Sequence, residues 1–180
     1  KAAEAAGFLL PVDLGARGSC QIGGNIATNA GGLRVLRDGM TRDNLLGIEA
    51  VLADGTVLCQ MTKVVKNNTG YDLRHLFAGS EGTLGVITRA GIRLRPLPGP
   101  PGPVLASLPD FAAVLRLLAM ARSALPGLSA FEAMWRDYFT CSQGHLPHTV
   151  LPDPPPFAVI LEADEGPALE ALLEAAFEEG

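Results

Sequence analysis

Two stretches in the first half of the chain carry patterns of apolar residues that predict strands. Residues 45–60 hold two apolar runs on either side of Asp54 and Gly55, a strong two-residue turn signal, and they predict a β-hairpin. Residues 82–96 predict one long strand, bent at Gly91.

Two short helices are predicted beside these strands. Residues 1–13, "KAAEAAGFLLPVD", resemble the last turn of a helix that runs into a strand. Residues 69–77 predict a short helix, with Thr69 or Asp72 as its cap.

The pattern changes after residue 103, where short strands alternate with amphipathic helices. The predicted elements are a strand at 103–108, a helix at 110–124 capped by Asp110, a strand at 128–135 followed by a short helix, a strand at 157–163, and a final helix. That last helix has Pro167 in its first turn, Gly180 as its C-cap and an apolar stripe. This alternation predicts an α+β sandwich with one helical layer.

The stretch between the two patterns contains five prolines and two glycines in residues 96–103, "PLPGPPGP". Such a sequence cannot continue a strand or a helix, so it is the best candidate for a linker. Both ends of the chain look like element ends, and we expect the chain to be a piece of a longer protein.

The charge distribution changes at the same place. Residues 1–95 hold 11 Lys+Arg and 8 Asp+Glu, whereas residues 96–180 hold 3 Lys+Arg and 11 Asp+Glu. The net charge of the whole chain is -5. This balance argues against nucleic acid as a partner, because phosphate binding needs a basic surface. The three scattered cysteines predict reduced thiols, and no apolar run is long enough for a membrane span.

Two clusters of small residues are candidates for chemistry. Residues 22–32, "IGGNIATNAGG", and residues 79–88, "GSEGTLGVIT", each place glycines beside apolar anchors. Glycine lets a ligand lie directly on the peptide plane, and exposed N–H groups in such turns bind oxygen atoms. Neither segment is a Walker loop or a GxGxxG motif. Composition alone leaves a packed turn and a ligand-facing loop equally open.

Three motifs, taken together, resemble a known family. "PVDLGARGSCQIGGNIATNAGGLRVLRDG", "LGIEAVLADGTVL" and "NNTGYDLRHLFAGSEGTLGVIT" are similar to the FAD-binding domain of the vanillyl-alcohol-oxidase (PCMH) superfamily. They look most like its D-2-hydroxyglutarate and D-lactate dehydrogenase branch. The resemblance implies that residues 1–98 are the C-terminal part, or second subdomain, of the PCMH-type domain. A Pro/Gly linker at 99–103 and the start of an α+β cap (substrate) domain at 104–180 would follow.

The resemblance also implies which residues contact FAD, many of them through the backbone. These are Asp13, Gly18, Ser19, Ile22, Gly23, Gly24, Ala27, Thr28, Asn29, Gly31, Gly32, Glu81, Gly85, Val86 and Ile87.

Two parts of the family pattern have no counterpart in this sequence. One is the "PQGGNTG"-type loop that grips the FAD pyrophosphate. The other is the C-terminal part, which supplies the substrate-carboxylate arginine, the metal-binding histidines and the base near flavin N5. Catalytic residues and any divalent metal are therefore expected outside these 180 residues.

The activity implied by the resemblance is oxidation of a D-2-hydroxy acid to a 2-oxo acid, with hydride transfer to flavin N5. D-2-hydroxyglutarate, D-lactate or glycolate would be the substrate, and an electron carrier or quinone would be the acceptor. The location implied is the cytoplasm, or the mitochondrial matrix in a eukaryote. A non-catalytic FAD-binding or inert module, and an oxidase of another alcohol on the same scaffold, remain alternatives.

Other candidate sites are weaker. Cys141, His145 and His148 could bind zinc but lack a fourth ligand. Cys20 is expected to be a small buried thiol, with a covalent flavin link as the alternative. Lys63, Lys66 and Arg74 are read as a solvated basic patch.

Three aromatic residues near the last predicted strands complete the set. Trp135, Tyr138 and Phe139 either pack inside the chain or contact a partner, so a homodimer stays open.

Overall fold

The computed structural model describes residues 1–178 and divides the chain into two compact units, 1–97 and 98–180. The C-cap predicted at Gly180 lies outside the described residues. Mixed helices and antiparallel sheets confirm the predicted α+β class.

The first unit holds five strands and four short helices. The strands are β1 (Phe8–Leu9), β2 (Leu45–Val51), β3 (Val57–Gln60), β4 (Val86–Ile92) and β5 (Arg95–Pro96). The helices are α1 (Ala2–Ala5), α2 (Ile22–Ala27), α3 (Val35–Asp38) and α4 (Arg74–Phe77), with a 3-10 turn at Arg42–Asn44. One sheet has the order β3-β2-β4, and β1 pairs with β5 in a second sheet. Their apolar contacts form two small cores, around Ile26 and around Ile48.

The predicted hairpin is confirmed, but its turn is longer than two residues. Gly55 donates its N–H to the carbonyl of Leu52 at 3.0 Å, and Gly55 has a φ of +85°. A four-residue turn that ends in a left-handed glycine is an arrangement found in longer hairpin loops.

The strand predicted over 82–96 is wrong at its C-terminal end. Strand β4 stops at Ile92, and β5 pairs with β1 instead of extending the same sheet. The Arg93 N–H still donates to the Asn44 carbonyl at 2.8 Å, immediately before β2, and the chain leaves this sheet beyond that point. The partner of β5 lies about ninety residues earlier in the sequence, out of reach of a local pattern.

The helix predicted over 69–77 is also shorter than expected. It begins only at Arg74, and neither proposed cap acts as one. Gly70 has a φ of +75°, which is incompatible with a helix, and the Asp72 carboxylate accepts hydrogen bonds from the Arg74 side chain.

The second unit holds one three-stranded antiparallel sheet, in the order β6-β8-β7, and three helices. The strands are β6 (Pro101–Leu108), β7 (Ala130–Trp135) and β8 (Phe157–Asp164). The helices are α5 (Phe111–Ala124), α6 (Arg136–Gln143) and α7 (Pro167–Glu178). Residues of α5, β8 and α7 form a common apolar core. The predicted N-cap is confirmed, since Asp110 Oδ1 accepts from the Ala113 N–H at 2.7 Å.

Part of the predicted linker forms a strand. Pro101, Gly102 and Pro103 begin β6 and lie opposite Asp164, Ala163 and Glu162 of β8. Proline is tolerated there because β6 lies at the edge of its sheet, where a missing donor disturbs little. Gly102 is also required by packing, because a Cβ would approach Leu169 Cδ2 to 2.6 Å.

Candidate functional site

The two glycine-rich segments lie side by side in the first unit. The Gly79 N–H donates to the Ile26 carbonyl at 3.0 Å, and the Glu81 N–H donates to the Ala27 carbonyl at 2.8 Å. Behind them, a Cβ on Gly23 would lie 3.2 Å from the Ile87 carbonyl oxygen. The end of α2, the 79–82 turn and β4 therefore form one connected surface.

The "IGGN" part of this surface is a helix and not a loop, which corrects the sequence interpretation. Ile22–Ala27 form α2, with Gly23 and Gly24 inside it. Two adjacent glycines disfavour a helix by propensity. The helix forms because Ile26 is fully buried in one of the small cores, against Leu45 and Ala78.

The third predicted segment, at Asp13, joins the same surface through close backbone packing. A Cβ on Gly32 would lie 1.9 Å from the Asp13 carbonyl oxygen, so only glycine fits there. The Asp13 carboxylate is held by Arg34 and by Arg17, the latter at 3.0 Å. These ion pairs fix the segment and occupy the Asp13 side chain.

The glycines of the site fall into two groups when the space beside each Cα is compared. A Cβ added to Gly32 would lie 1.9 Å from the Asp13 carbonyl oxygen, and one added to Gly85 would lie 2.5 Å from the Val51 carbonyl oxygen. A Cβ added to Gly31 would meet the Met40 side chain. Packing within the chain accounts for these glycines. Gly18 and Gly24, in contrast, have no atom of the chain within 4 Å of an added Cβ. Their open backbone is free to face a ligand.

Two non-glycine residues in the site have left-handed backbone conformations. Asn29 has a φ of +47° and Glu81 a φ of +52°, and they are the only such residues between 1 and 178. Asn29 is supported by its side chain, since Oδ1 accepts from the Arg42 N–H at 2.9 Å. Such conformations cost about 1–3 kcal/mol each and concentrate at functional sites.

The remaining predicted residues divide by exposure. Ile22 and Val86 are 41% and 69% exposed, although both are apolar, and Gly18, Ser19 and Thr28 are exposed too. The Thr28 hydroxyl donates to the Gly24 carbonyl at 3.0 Å. Ala27 is half-buried, and Ile87 packs against the small cores. The exposed members form the outer face of the site.

Sequence reasoning missed the groups that fasten this surface from behind. The Arg42 guanidinium donates to the Ala78 carbonyl, and Thr41 Oγ1 donates to the Ala30 carbonyl at 2.6 Å. Both residues lie in a polar stretch before β2, and nothing in that stretch of the sequence indicated that they would contact the glycine-rich segments. Ser80 Oγ is buried and has no hydrogen-bond partner among the residues that the structure describes.

Other candidate residues are placed differently from the predictions. Cys20 is exposed, so its predicted burial is wrong; it precedes α2 at the surface, where Asn25 Nδ2 donates to its sulfur at 3.4 Å. Arg74 is not part of a solvated patch, because its guanidinium donates to the Leu46 carbonyl at 2.7 Å and its side chain is 11% exposed.

Two of the candidate zinc ligands lie near each other, in α6 and the turn after it. His145 Nδ1 lies 2.9 Å from the Cys141 carbonyl oxygen. Within 1–178, no His, Cys, Asp and Glu side chains are grouped to hold a metal.

The aromatic residues near the end of β7 separate into two environments. Trp135 contacts Phe111 and Phe157, with ring centroids 6.2 and 5.5 Å away, yet stays 58% exposed. Tyr138 is exposed, whereas Phe139 is buried.

No helix in the described part of the chain is long and apolar enough to cross a bilayer.

Comparison with known proteins agrees with this arrangement. The profile of the family described as FAD binding domain matches residues 1–59. D-2-hydroxyglutarate dehydrogenase, mitochondrial, of Bos taurus is 50% identical over 170 residues, which cover 93% of this chain and 31% of the relative. D-2-hydroxyglutarate dehydrogenase of Xanthomonas citri is 43% identical over 178 residues, covering 98% of this chain and 38% of the relative. The chain thus spans about a third of the length of these relatives.

A solved structure shares the fold at lower identity. Alkyldihydroxyacetonephosphate synthase superposes with a TM-score of 0.72 at 21% identity, covering 97% of this chain and 35% of that structure. Residues 1–59 therefore match the FAD-binding domain family, the chain shares the fold of this solved structure, and its sequence is homologous to about a third of the length of the D-2-hydroxyglutarate dehydrogenases.

Proposed function

We propose that the protein is an FAD-linked dehydrogenase that oxidises a D-2-hydroxy acid of the D-2-hydroxyglutarate type to the 2-oxo acid. The observation that carries this proposal is the convergence of three glycine-bearing segments on one surface, in a chain 50% identical to a D-2-hydroxyglutarate dehydrogenase. D-lactate and glycolate belong to the same chemical class and remain candidate substrates.

The outer face of the site fits a large flat cofactor. Gly18 and Gly24 leave the backbone open, and the exposed apolar side chains of Ile22 and Val86 offer surface that a ring system could cover. The buried Ser80 hydroxyl, without a partner in residues 1–178, could accept or donate a hydrogen bond. When bound, FAD supplies a hydride acceptor.

We assign two kinds of role to the residues of this chain. Gly18, Ser19, Ile22, Gly24, Thr28, Glu81 and Val86 would contact the cofactor directly. Asp13, Gly23, Ala27, Asn29, Gly31, Gly32, Gly85 and Ile87 would act as positioning residues, because their contacts are with other parts of the chain or with its core. This division reduces the number of residues proposed to contact FAD directly, and substitutions can test the contact residues and the positioning residues separately.

The same proposal covers the role of residues 98–178, the catalytic groups outside this chain, the electron acceptor and the location of the protein. Residues 98–178 would begin the cap domain that covers the substrate. The groups that bind the substrate carboxylate, any divalent metal and the catalytic base would come from outside residues 1–180. Electrons would pass to a carrier or quinone. The location would be the mitochondrial matrix in a eukaryote, as the name of the bovine relative suggests, and the cytoplasm in a bacterium.

The proposal is tested in two steps. The purified chain is first titrated with FAD while flavin fluorescence is recorded, with riboflavin as the control ligand. Saturable quenching by FAD is expected; a chain that ignores added FAD would favour the inert alternative.

The second step measures turnover by the complete gene product with an artificial electron acceptor. Oxidation of D-2-hydroxyglutarate, but not of its L-enantiomer, is expected. Activity only on a sugar or another alcohol would instead place the protein among other oxidases built on this scaffold.

A further inference from the structure

A single residue of the 3-10 turn contacts both glycine-rich segments. Arg42 donates its backbone N–H to Asn29 Oδ1 at 2.9 Å, inside the first segment. Its guanidinium donates to the carbonyl of Ala78, the residue immediately before the second segment. Thirteen residues separate Arg42 from Asn29, and thirty-six separate it from Ala78. Arg42 therefore joins two parts of the chain that lie far apart in the sequence.

The contacts of Arg42 lie in a closely packed part of the unit. A Cβ built on Gly79 would lie 3.3 Å from Arg42 Nη2 and 3.4 Å from the Asn29 Cβ. Beside Arg42, Thr41 is fully buried and donates to the Ala30 carbonyl from its N–H at 3.0 Å and from its hydroxyl at 2.6 Å. The backbone from which the Arg42 side chain extends is therefore fixed.

The same contacts support the two left-handed residues of the site. Asn29 has a φ of +47° and accepts from the Arg42 backbone, whereas Glu81, with a φ of +52°, lies three residues after the carbonyl that the guanidinium holds. Conformations of this kind persist only where the surrounding structure over-determines them. Arg42 contributes to that restraint in both segments.

We propose that Arg42 is a positioning residue for the FAD site, which sets the spacing of the two glycine-rich segments through its contacts with the chain. The inference rests on the dehydrogenase function proposed above, because that function makes these segments the cofactor-binding surface. A surface already held in its bound geometry avoids the free-energy cost of ordering when the ligand binds. Loss of the Arg42 side-chain bond should therefore weaken FAD binding by more than a loss of stability alone would.

The first test needs no ligand. Amide hydrogen exchange of the isotopically labelled chain reports the Gly79 and Glu81 N–H groups, whose hydrogen bonds join the two segments. Arg42→Met keeps a long side chain but removes its donors. Protection of both amides, relative to that of the Leu52 N–H in the hairpin, should fall about tenfold in this variant.

FAD titration of the same variant, followed by flavin fluorescence, separates positioning from stability. Arg42→Met should bind FAD about tenfold more weakly than the original chain. The matched control is Arg74→Met, which also removes a guanidinium that donates to a backbone carbonyl in the same unit. It should lower stability to urea at least as much, yet leave FAD affinity and the relative amide protection within about threefold of the original values.

Two further variants test the chemistry of the contact. Because the acceptor is a single carbonyl, the ammonium group of a lysine can replace the guanidinium, and Arg42→Lys should restore both readouts to within about threefold. Arg42→Gln is too short to reach the Ala78 carbonyl and should reproduce the loss. It takes the place of the methionine variant if that variant does not fold.

Equal FAD affinity in Arg42→Met and Arg74→Met would overturn the proposal, because stability alone would then explain the change. So would unchanged relative protection of the Gly79 and Glu81 amides in Arg42→Met, or a lysine variant as impaired as the methionine variant. A chain that binds no FAD but shows the selective loss of protection would support the role of Arg42 in spacing the segments, and it would contradict the first step of the proposed function.

Discussion

The amide of Glu81 donates a hydrogen bond to the carbonyl of Ala27 at 2.8 Å, although more than fifty residues separate them. With the neighbouring bond from Gly79 to Ile26, it ties the two glycine-rich segments into a single surface. The chain's own backbone therefore holds this surface together, and substitutions in it can separate residues that build the fold from residues that face a cofactor.

Gly24→Ala should raise stability and weaken FAD binding in the same protein. An alanine in the middle of α2 removes the glycine penalty of roughly 0.5–1 kcal/mol, and its Cβ meets no other atom of the chain. The same methyl group would stand where we place the cofactor. Urea unfolding and a flavin-fluorescence titration measure the two effects. Gly99→Ala, also in open space, should leave FAD affinity unchanged; unchanged affinity in Gly24→Ala would remove Gly24 from the contact set.

Gly32→Ala should destabilise the chain by about 2–3 kcal/mol, because its Cβ would overlap the backbone oxygen of Asp13. The neighbouring Gly31→Ala is the matched control. The atoms that its Cβ would meet are all side-chain atoms, the end of the flexible Met40 side chain and a Val35 methyl group at 3.0 Å. Chemical unfolding of both variants checks the order, and equal losses would contradict the distinction between backbone and side-chain neighbours.

Asp110→Ala should cost about 1 kcal/mol, since it removes the side-chain acceptor that caps α5 at the Ala113 N–H. Thermal unfolding measures the loss. Asp153→Ala makes the same change of charge at an exposed position between α6 and β8 and should stay within about 0.5 kcal/mol of the original chain. A similar loss in both variants would point to charge rather than capping.

The Asp72 carboxyl should contribute stability that depends on pH. Desolvation raises its pKa, but the hydrogen bond from Arg74 and the charges of His75 and Arg74 together lower the pKa below its usual value. A lowered pKa in the folded state gives stability that is present above the unfolded value, near 4, and is lost as pH falls through the folded value.

Asp72→Asn should therefore be less stable than the original chain at neutral pH, and the difference should shrink below about pH 4. Urea unfolding at several pH values checks this expectation. Asp153→Asn is the matched control and should show a smaller difference at neutral pH. A difference for Asp72→Asn that persists unchanged into acid would contradict the role of the charge.

Local patterns predicted the second unit well for identifiable reasons. The helix that begins after Asp110 carries both its cap and its apolar stripe in the sequence, and β8, at the centre of its sheet, begins with an apolar run at 157–161. The strand at Pro101 was missed because the tolerance of an edge strand for proline depends on the order of strands, which no local pattern contains.

The first unit was harder to predict because distant contacts decide its structure. Helix α2 forms despite two glycines because Ile26 is buried, and β5 leaves the long strand to pair with residues near the N-terminus. Within the candidate site, the resemblance of the motifs identified the site residues. It did not show which glycines are packed against other atoms of the chain and which face open space. That division depends on atoms such as Asp13 O and Val51 O, which become neighbours only in the folded chain.

The edge position of β6 also bears on aggregation. An uncovered sheet edge is a template for strands of other molecules, and prolines on it act as blocks. Pro101 and Pro103 occupy the first part of that edge and cannot donate hydrogen bonds to an incoming strand. Within the described residues, the part of this edge that keeps all its backbone donors is 104–108, and a charged side chain introduced at Leu105 or Ser107 would oppose pairing with another molecule there.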